Sequence, residues 1–182
     1  MSQPVPSPDS PVPDIAAFRA AMGRFVTGIT VVTACVDGVD HAMTANSLTS
    51  VSLEPMLLAV CVEATTRFHE AIMSATGWAL SILPGDAADV AAWLATRGRP
   101  LRGQLQRVAH HPGPVTGAAL IDDALASVEC LPWAAYPGGD HTIVVGSVAA
   151  VSLAPQPGDP LVYHERRYLT LRDVVAERQA TR

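Results

Sequence analysis

The sequence predicts a mainly β protein with short helices, its strands closed or partly closed into a barrel. Two observations carry that expectation. Six or more β-rich runs are spread along the 182 residues, with only short helical patterns between them. Neither G-x-G-x-x-G nor G-x-x-x-x-G-K-[ST] occurs, so the phosphate-cradling turns of doubly wound nucleotide folds are missing.

In chain order, residues 1–13 hold five prolines among Ser, Gln and Asp. That composition cannot bury enough apolar surface to offset its ordering entropy, and a disordered tail is expected. The rest, 14–175, reads as one domain. Asp14 is placed to cap a helix whose Ile15, Phe18, Met22 and Phe25 recur every three or four residues, a stripe expected to face a core. From Ile29 the run ITVVTACV reads as a strand closed by Asp37-Gly38, a dipeptide suited to a tight hairpin. A second strand begins near His41 and leads into MTANSLTSVSLEP, residues 43–55, too rich in hydroxyls for a plain core strand. Residues 56–62 form a buried strand, Thr65 and Thr66 cap a helix to about Ser74, and 78–83 is another strand. Residues 86–94 are helical by composition, and 96–114 make a long excursion of Arg, Gly, His and Pro. Three β-like runs follow, at 126–131, 141–153 and 161–171.

Hydrophobic residues make up 49% of the chain and charged residues 16%, apolar enough that another subunit is expected to cover part of the surface. The formal net charge of -5 and the lack of a basic run argue against nucleic acid as a partner. Neither a signal peptide nor an apolar window of ~18 residues is evident, so a cytoplasmic protein that does not span a membrane is expected. Cys35, Cys61 and Cys130 lie apart in apolar stretches and read as small core residues. His41, His69, His110, His111, His141 and His164 form no metal-binding pair, so no metal is expected. All twelve basic residues are arginine, which excludes lysine Schiff-base chemistry, and no G-x-S-x-G elbow presents a serine nucleophile.

The hydroxyl-rich stretch is the strongest functional lead. Thr44, Ala45, Asn46, Ser47, Ser50, Val51 and Ser52 mix polar groups with apolar side chains, as a flat ring with a polar edge requires. The same pattern also serves local side-chain bonds to the backbone. Thr65, Thr66 and Arg67 stand at a helix start, where free N–H groups and a guanidinium suit a phosphate; an ordinary cap with a solvated arginine has the same appearance. His141 follows Gly138-Gly139-Asp140 at the start of a strand, a position that can aim an imidazole into a pocket mouth or be purely structural.

Four segments, taken together and in order, resemble the flavin reductase family of two-component monooxygenases, the FMN-binding split β-barrel proteins. They are Phe18, Arg19, Met22, Gly23, Phe25, Thr27 and Gly28 running into ITVVT; MTANSLTSVSLEP; GDHTIVVGSV at 139–148; and Pro160-Leu161-Val162-Tyr163 with Tyr168. The resemblance implies NAD(P)H-dependent reduction of FMN or FAD, with NADH or NADPH as hydride donor and reduced flavin diffusing to a partner monooxygenase. It implies that Thr44 to Ser47 and Ser50 to Ser52 line the flavin, that Thr65 to Arg67 approach its phosphate, and that His141 lies near the flavin or nicotinamide. A homodimer with flavin sites near its interface is implied as well. The chain departs from the family pattern at Ser81, where an Asn is common, at His164-Glu165-Arg166-Arg167, where a Gly is usual, and in having only Arg67 where some relatives use lysine on the phosphate. Two other readings stay open: a non-catalytic split barrel that holds flavin or haem, and a flavoprotein acting on an organic substrate with 96–114 as its specificity loop.

Overall fold

The computed structural model describes residues 14–180; the tail expected at 1–13 lies outside the described residues. The elements are α1 (Ile15–Gly23), β1 (Thr27–Gly28), β2 (Thr30–Val36), β3 (Val39–Ala45), β4 (Thr49–Leu53), β5 (Met56–Glu63), α2 (Arg67–Ser74), β6 (Trp78–Ile82), α3 (Ala88–Ala95), β7 (His110–Pro112), β8 (Ala119–Ile121), β9 (Ala126–Gly138), β10 (His141–Leu153), β11 (Leu161–His164), β12 (Arg167–Thr170) and α4 (Leu171–Ala180).

Seven strands form one antiparallel sheet in the order β3-β2-β6-β9-β10-β5-β4. Its outer strands β3 and β4 are consecutive in the chain, joined by residues 46–48. A flat sheet of that size would be about 29 Å wide, whereas the step from Ala45 to Thr49 reaches at most about 14 Å. The sheet therefore curls until its two edges approach. Ser47 bridges the gap: its Oγ accepts from the Cys61 amide at 3.0 Å and donates to the Cys61 carbonyl at 3.3 Å, joining the end of β3 to β5.

Alternation along β2 divides the core. Val32 joins Val60, Val62, Phe68, Trp78 and Leu80 in one cluster, and Val31 joins Leu83, Leu94, Leu105, Ile121 and Leu161 in the other. Both faces of β2 are buried, which is why ITVVTACV lacks a polar alternation. The hairpin at Asp37-Gly38 is as expected, both residues having positive φ (50° and 72°).

Several expectations are corrected. Asp14 caps α1, accepting from the Ala16 and Ala17 amides, but the helix buries nothing in the single chain: Ile15, Phe18, Met22 and Phe25 are all exposed. The run expected at 161–171 is a hairpin, β11 to β12, turned by Glu165 and Arg166 at positive φ, followed by α4. A reciprocal cap starts α4, with Asp173 accepting from the Thr170 amide and the Thr170 hydroxyl accepting from the Asp173 amide. The excursion contains β7, which pairs with β8; its turn is pinned by buried Glu129, whose Oε2 accepts from the amides of Val115 and Thr116 and the Thr116 hydroxyl. Strand β9 runs to Gly138 despite Pro132 and Pro137. Beyond residue 130 it has left β6 and pairs with β10 alone, so the prolines sit on an edge where no amide is needed. Cys130 is fully buried and its thiol is pushed up to about 12, chiefly by burial; Cys35 and Cys61 are half-buried.

Candidate functional site

A cleft of about 520 Å³ opens between the end of β3, the start of α2 and the segment that follows α3. It brings together residues distant in sequence: Thr44, Ala45, Asn46 and Ser47 from β3 and its exit, Thr65, Thr66 and Arg67 from the entry to α2, and His141 from the start of β10. Ser50, Val51 and Ser52 lie outside the lining, on the exposed edge strand β4. Val51 is 51% exposed at a register shift between its neighbours, and Ser52 Oγ accepts from the Glu54 amide.

Most hydroxyls in this wall hold the backbone in place. Thr44 Oγ1 donates to the Ala91 carbonyl at 2.7 Å, tying β3 to α3, and Ser47 is engaged with Cys61. The Asn46 amide reaches Thr27 Oγ1 at 3.2 Å. Thr66 is the cap of α2, accepting from the His69 amide, whereas Thr65 donates to Glu63 Oε1. The local bonds expected of a Ser/Thr-rich stretch are thus present, and they stiffen the wall of a cleft.

His141 pairs across the sheet with Glu63, and its Nδ1 lies 2.7 Å from Asp140 Oδ1. That bond leaves Nε2 as the nitrogen available to a ligand and holds the Asp140 carboxyl below its usual range.

His41, Glu63, Arg97, Arg99 and Gln104 also line the cleft although none was a candidate site residue by number, the last three lying in the 96–114 excursion offered as a specificity loop. Arg99 turns inward and donates to the carbonyls of Trp93, Leu94 and Thr96 at the end of α3 and, at 2.7 Å, to the Ala42 carbonyl of β3. Its own carbonyl accepts from Arg67. Burial first, and Arg67 second, lower its pKa. Arg97 projects outward to Glu63 Oε2 at 2.6 Å. His41 Nδ1 is buried without a hydrogen-bond partner among the described residues, and burial is the main cause that lowers its pKa. Placement of Arg97, Arg99 and Gln104 depends on the 96–114 backbone, whose path has no periodicity to read, whereas His41 and Glu63 lie on β3 and β5.

The lining fits the flavin that the resemblance implies. The volume lies within the range of small-molecule sites, apolar Met43, Phe68 and Leu94 stand beside amide and hydroxyl groups, and the guanidiniums of Arg67 and Arg97 in the lining suit an anionic tail. The orphaned His41 nitrogen is a further polar group in need of a partner. Among the described residues no cluster of His, Cys, Asp or Glu could hold a metal ion, and no helix is long and apolar enough to cross a membrane.

Comparison with known proteins converges on one group. Residues 22–172 match the family described as "Flavin reductase like domain". The NADH-dependent FMN reductase AsuE2 of Streptomyces nodosus subsp. asukaensis is 40% identical over 162 residues, covering 88% of this chain and 87% of that one. The crystal structure of BorF, the flavin reductase component of a bacterial two-component tryptophan halogenase, superposes with a TM-score of 0.81 at 41% identity, covering 87% of this chain and 98% of that one. The NADH:FAD oxidoreductase SgcE6 of Streptomyces globisporus, in complex with NAD and FAD fragments, has a TM-score of 0.80 at 34% identity, covering 85% and 91%.

Proposed function

The chain belongs to the flavin reductase-like domain family, and on that premise we propose that it is an NADH-dependent reductase of FMN or FAD that supplies reduced flavin to a partner monooxygenase component. Its fold is the split β-barrel of that family. The observation that carries the proposal is the cleft itself, in which β3, α2 and β10 bring Thr44 to Ser47, Thr65 to Arg67 and His141 to one place. When bound, a flavin supplies the hydride-accepting chemistry that the chain's own side chains lack.

The protein's contribution is positional. The wall formed by Ala45 and Asn46 is fixed on one side by Thr44 and on the other by Ser47, so its backbone groups meet a ring edge without reorganisation. His141, its Nδ1 held by Asp140, presents Nε2 to the nicotinamide carboxamide and acts as a positioning residue, with no proton required of it. The α2 N-terminus and Arg67 receive the flavin phosphate. NADH is preferred to NADPH as donor because the relatives are named for NADH.

A homodimer is part of the same proposal. Alongside the α1 stripe, Val51, Leu53, Trp133, Tyr136, Val151 and Leu153 are exposed, more apolar surface than a monomer ordinarily leaves in water. Ser50, Val51 and Ser52 are assigned to this subunit contact, framing the cleft from outside it. The location is taken as cytoplasmic, where NADH and an oxygenase partner would be found.

The test is oxidation of NADH and NADPH by the purified chain with FMN, FAD or no flavin, followed by loss of nicotinamide absorbance. Turnover that saturates with added flavin is expected, fastest with NADH. No oxidation in any combination would leave the chain a flavin-binding barrel without this activity.

A further inference from the structure

The charges at the cleft mouth are unequal in their commitments. Three guanidiniums, Arg67, Arg97 and Arg99, face one carboxylate, Glu63, in a chain whose formal net charge is -5. Arg99 is spent on the carbonyls of α3 and β3. Arg67 bonds the Arg99 carbonyl and thereby anchors the backbone of the segment beyond α3. Between the two arginines of that segment, Gly98 takes φ +76°, a turn that sends Arg99 inward and Arg97 outward. The Arg97 side chain is 81% exposed and rests on Glu63 Oε2 at 2.6 Å. The other oxygen of Glu63 accepts from the Thr65 hydroxyl, one residue before the cap of α2. The Glu63 carboxylate thus stands between an exposed guanidinium and a helix N-terminus, bonded to donors that suit a phosphate equally well.

We propose that Arg97 is a specificity-determining contact for the phosphate of FMN or FAD, and that Glu63 is its resident counter-anion, displaced whenever a phosphorylated flavin enters. This rests on the flavin reading above and deepens it. A phosphate has more charge and more acceptor oxygens than the carboxylate, so it takes Arg97 and Thr65, but each entry must first break an ion pair within the protein. Glu63 therefore weakens the hold on the phosphate and speeds its release. A reductase whose product leaves for another protein needs that exchange, and a prosthetic flavin does not. The backbone of Arg97 need not move, because Arg67 and Arg99 hold it on either side; only the exposed side chain swings.

The experiment measures binding of FMN and of riboflavin, which lacks the phosphate, to the full chain by flavin fluorescence, with release rates by rapid mixing. Arg97→Gln is expected to weaken FMN by about ten-fold, the order of one charge-assisted contact, and to leave riboflavin nearly unchanged. Glu63→Gln keeps an acceptor for Thr65 but frees Arg97; it is expected to tighten FMN by about five-fold, the scale of one exposed ion pair, and to slow its release. Added salt should narrow the difference between FMN and riboflavin in the wild type. If Arg97→Gln weakens both flavins alike, or Glu63→Gln weakens FMN, the counter-anion role is overturned while the flavin site stands. If the wild-type chain binds neither flavin, the flavin reading falls and this proposal falls with it.

Discussion

Arg99 is the side chain on which the cleft wall depends most, and replacing it by methionine separates packing from hydrogen bonding. The aliphatic stem is retained in Arg99→Met while four carbonyl contacts disappear. Two of the acceptors belong to buried residues, Leu94 at 1% and Ala42 at 1% exposure, where water does not readily take the place of the guanidinium. Leaving a buried acceptor unpaired costs about 1–3 kcal/mol, so these two together set the scale at roughly 4 kcal/mol, offset in part because the change also removes a desolvated guanidinium whose Nε has no partner among the described residues. A net loss of about 3 kcal/mol is expected, which in a domain of this size lowers Tm by roughly 6–12 °C. Thermal and urea unfolding of the full chain measure it. Arg99→Lys, keeping a charge but not the fork, should recover less than half. Because the Arg99 carbonyl anchors Arg67, flavin binding should weaken even where the variant stays folded. A loss below about 1 kcal/mol for Arg99→Met, with unchanged flavin affinity, would refute the reasoning, since it would mean that the carbonyls are satisfied without the guanidinium.

Other consequences follow from the same geometry. His141→Ala should raise the KM for NADH more than it weakens flavin binding, and an unchanged KM would remove His141 from the nicotinamide. His41 has a folded pKa below the ordinary histidine value, so between the two values the unfolded chain binds more protons and stability rises with pH. The urea midpoint should accordingly fall as pH drops from about 7 toward 5, where His41 must protonate on unfolding, and His41→Gln should flatten that slope; an unaltered slope would place the dependence on another group. Phe18→Asp, at 63% exposure on α1, should shift the chain toward monomer in sedimentation without lowering single-chain stability, and an undisturbed dimer would mean that α1 lies outside the interface.

Local chemistry was readable where it is written in a few adjacent residues. Asp37-Gly38 demands positive φ and turns a hairpin, Asp14 and Thr66 cap helices, and the apolar run 141–153 is a single strand. The stretch from Thr44 to Ser47 announced a polar wall, which the structure places in the lining of the cleft, and its resemblance to a family signature implied a flavin there. The Thr170-x-x-Asp173 cap was also present in the sequence, but the β-like run read as extending to 171 concealed the helix that follows.

What the sequence determined by itself was the β-rich class and the main strands and helices, because these depend on periodicities of two and 3.6 residues and on turn chemistry within one or two turns of chain, while the family was legible from the resemblance of four motif segments. Tertiary structure alone decided that the sheet curls until Ser47 meets Cys61, that Arg97 and Arg99 point opposite ways across Gly98, and that Glu63 stands beside His141 and Arg97. The pairs Ser47 with Cys61 and Arg97 with Glu63 are 14 and 34 residues apart, and His141 is farther still from Glu63, so no short-range rule connects them. Their meeting follows from closing a seven-stranded sheet whose edge strands are joined by three residues, a constraint on the whole chain that no single segment carries.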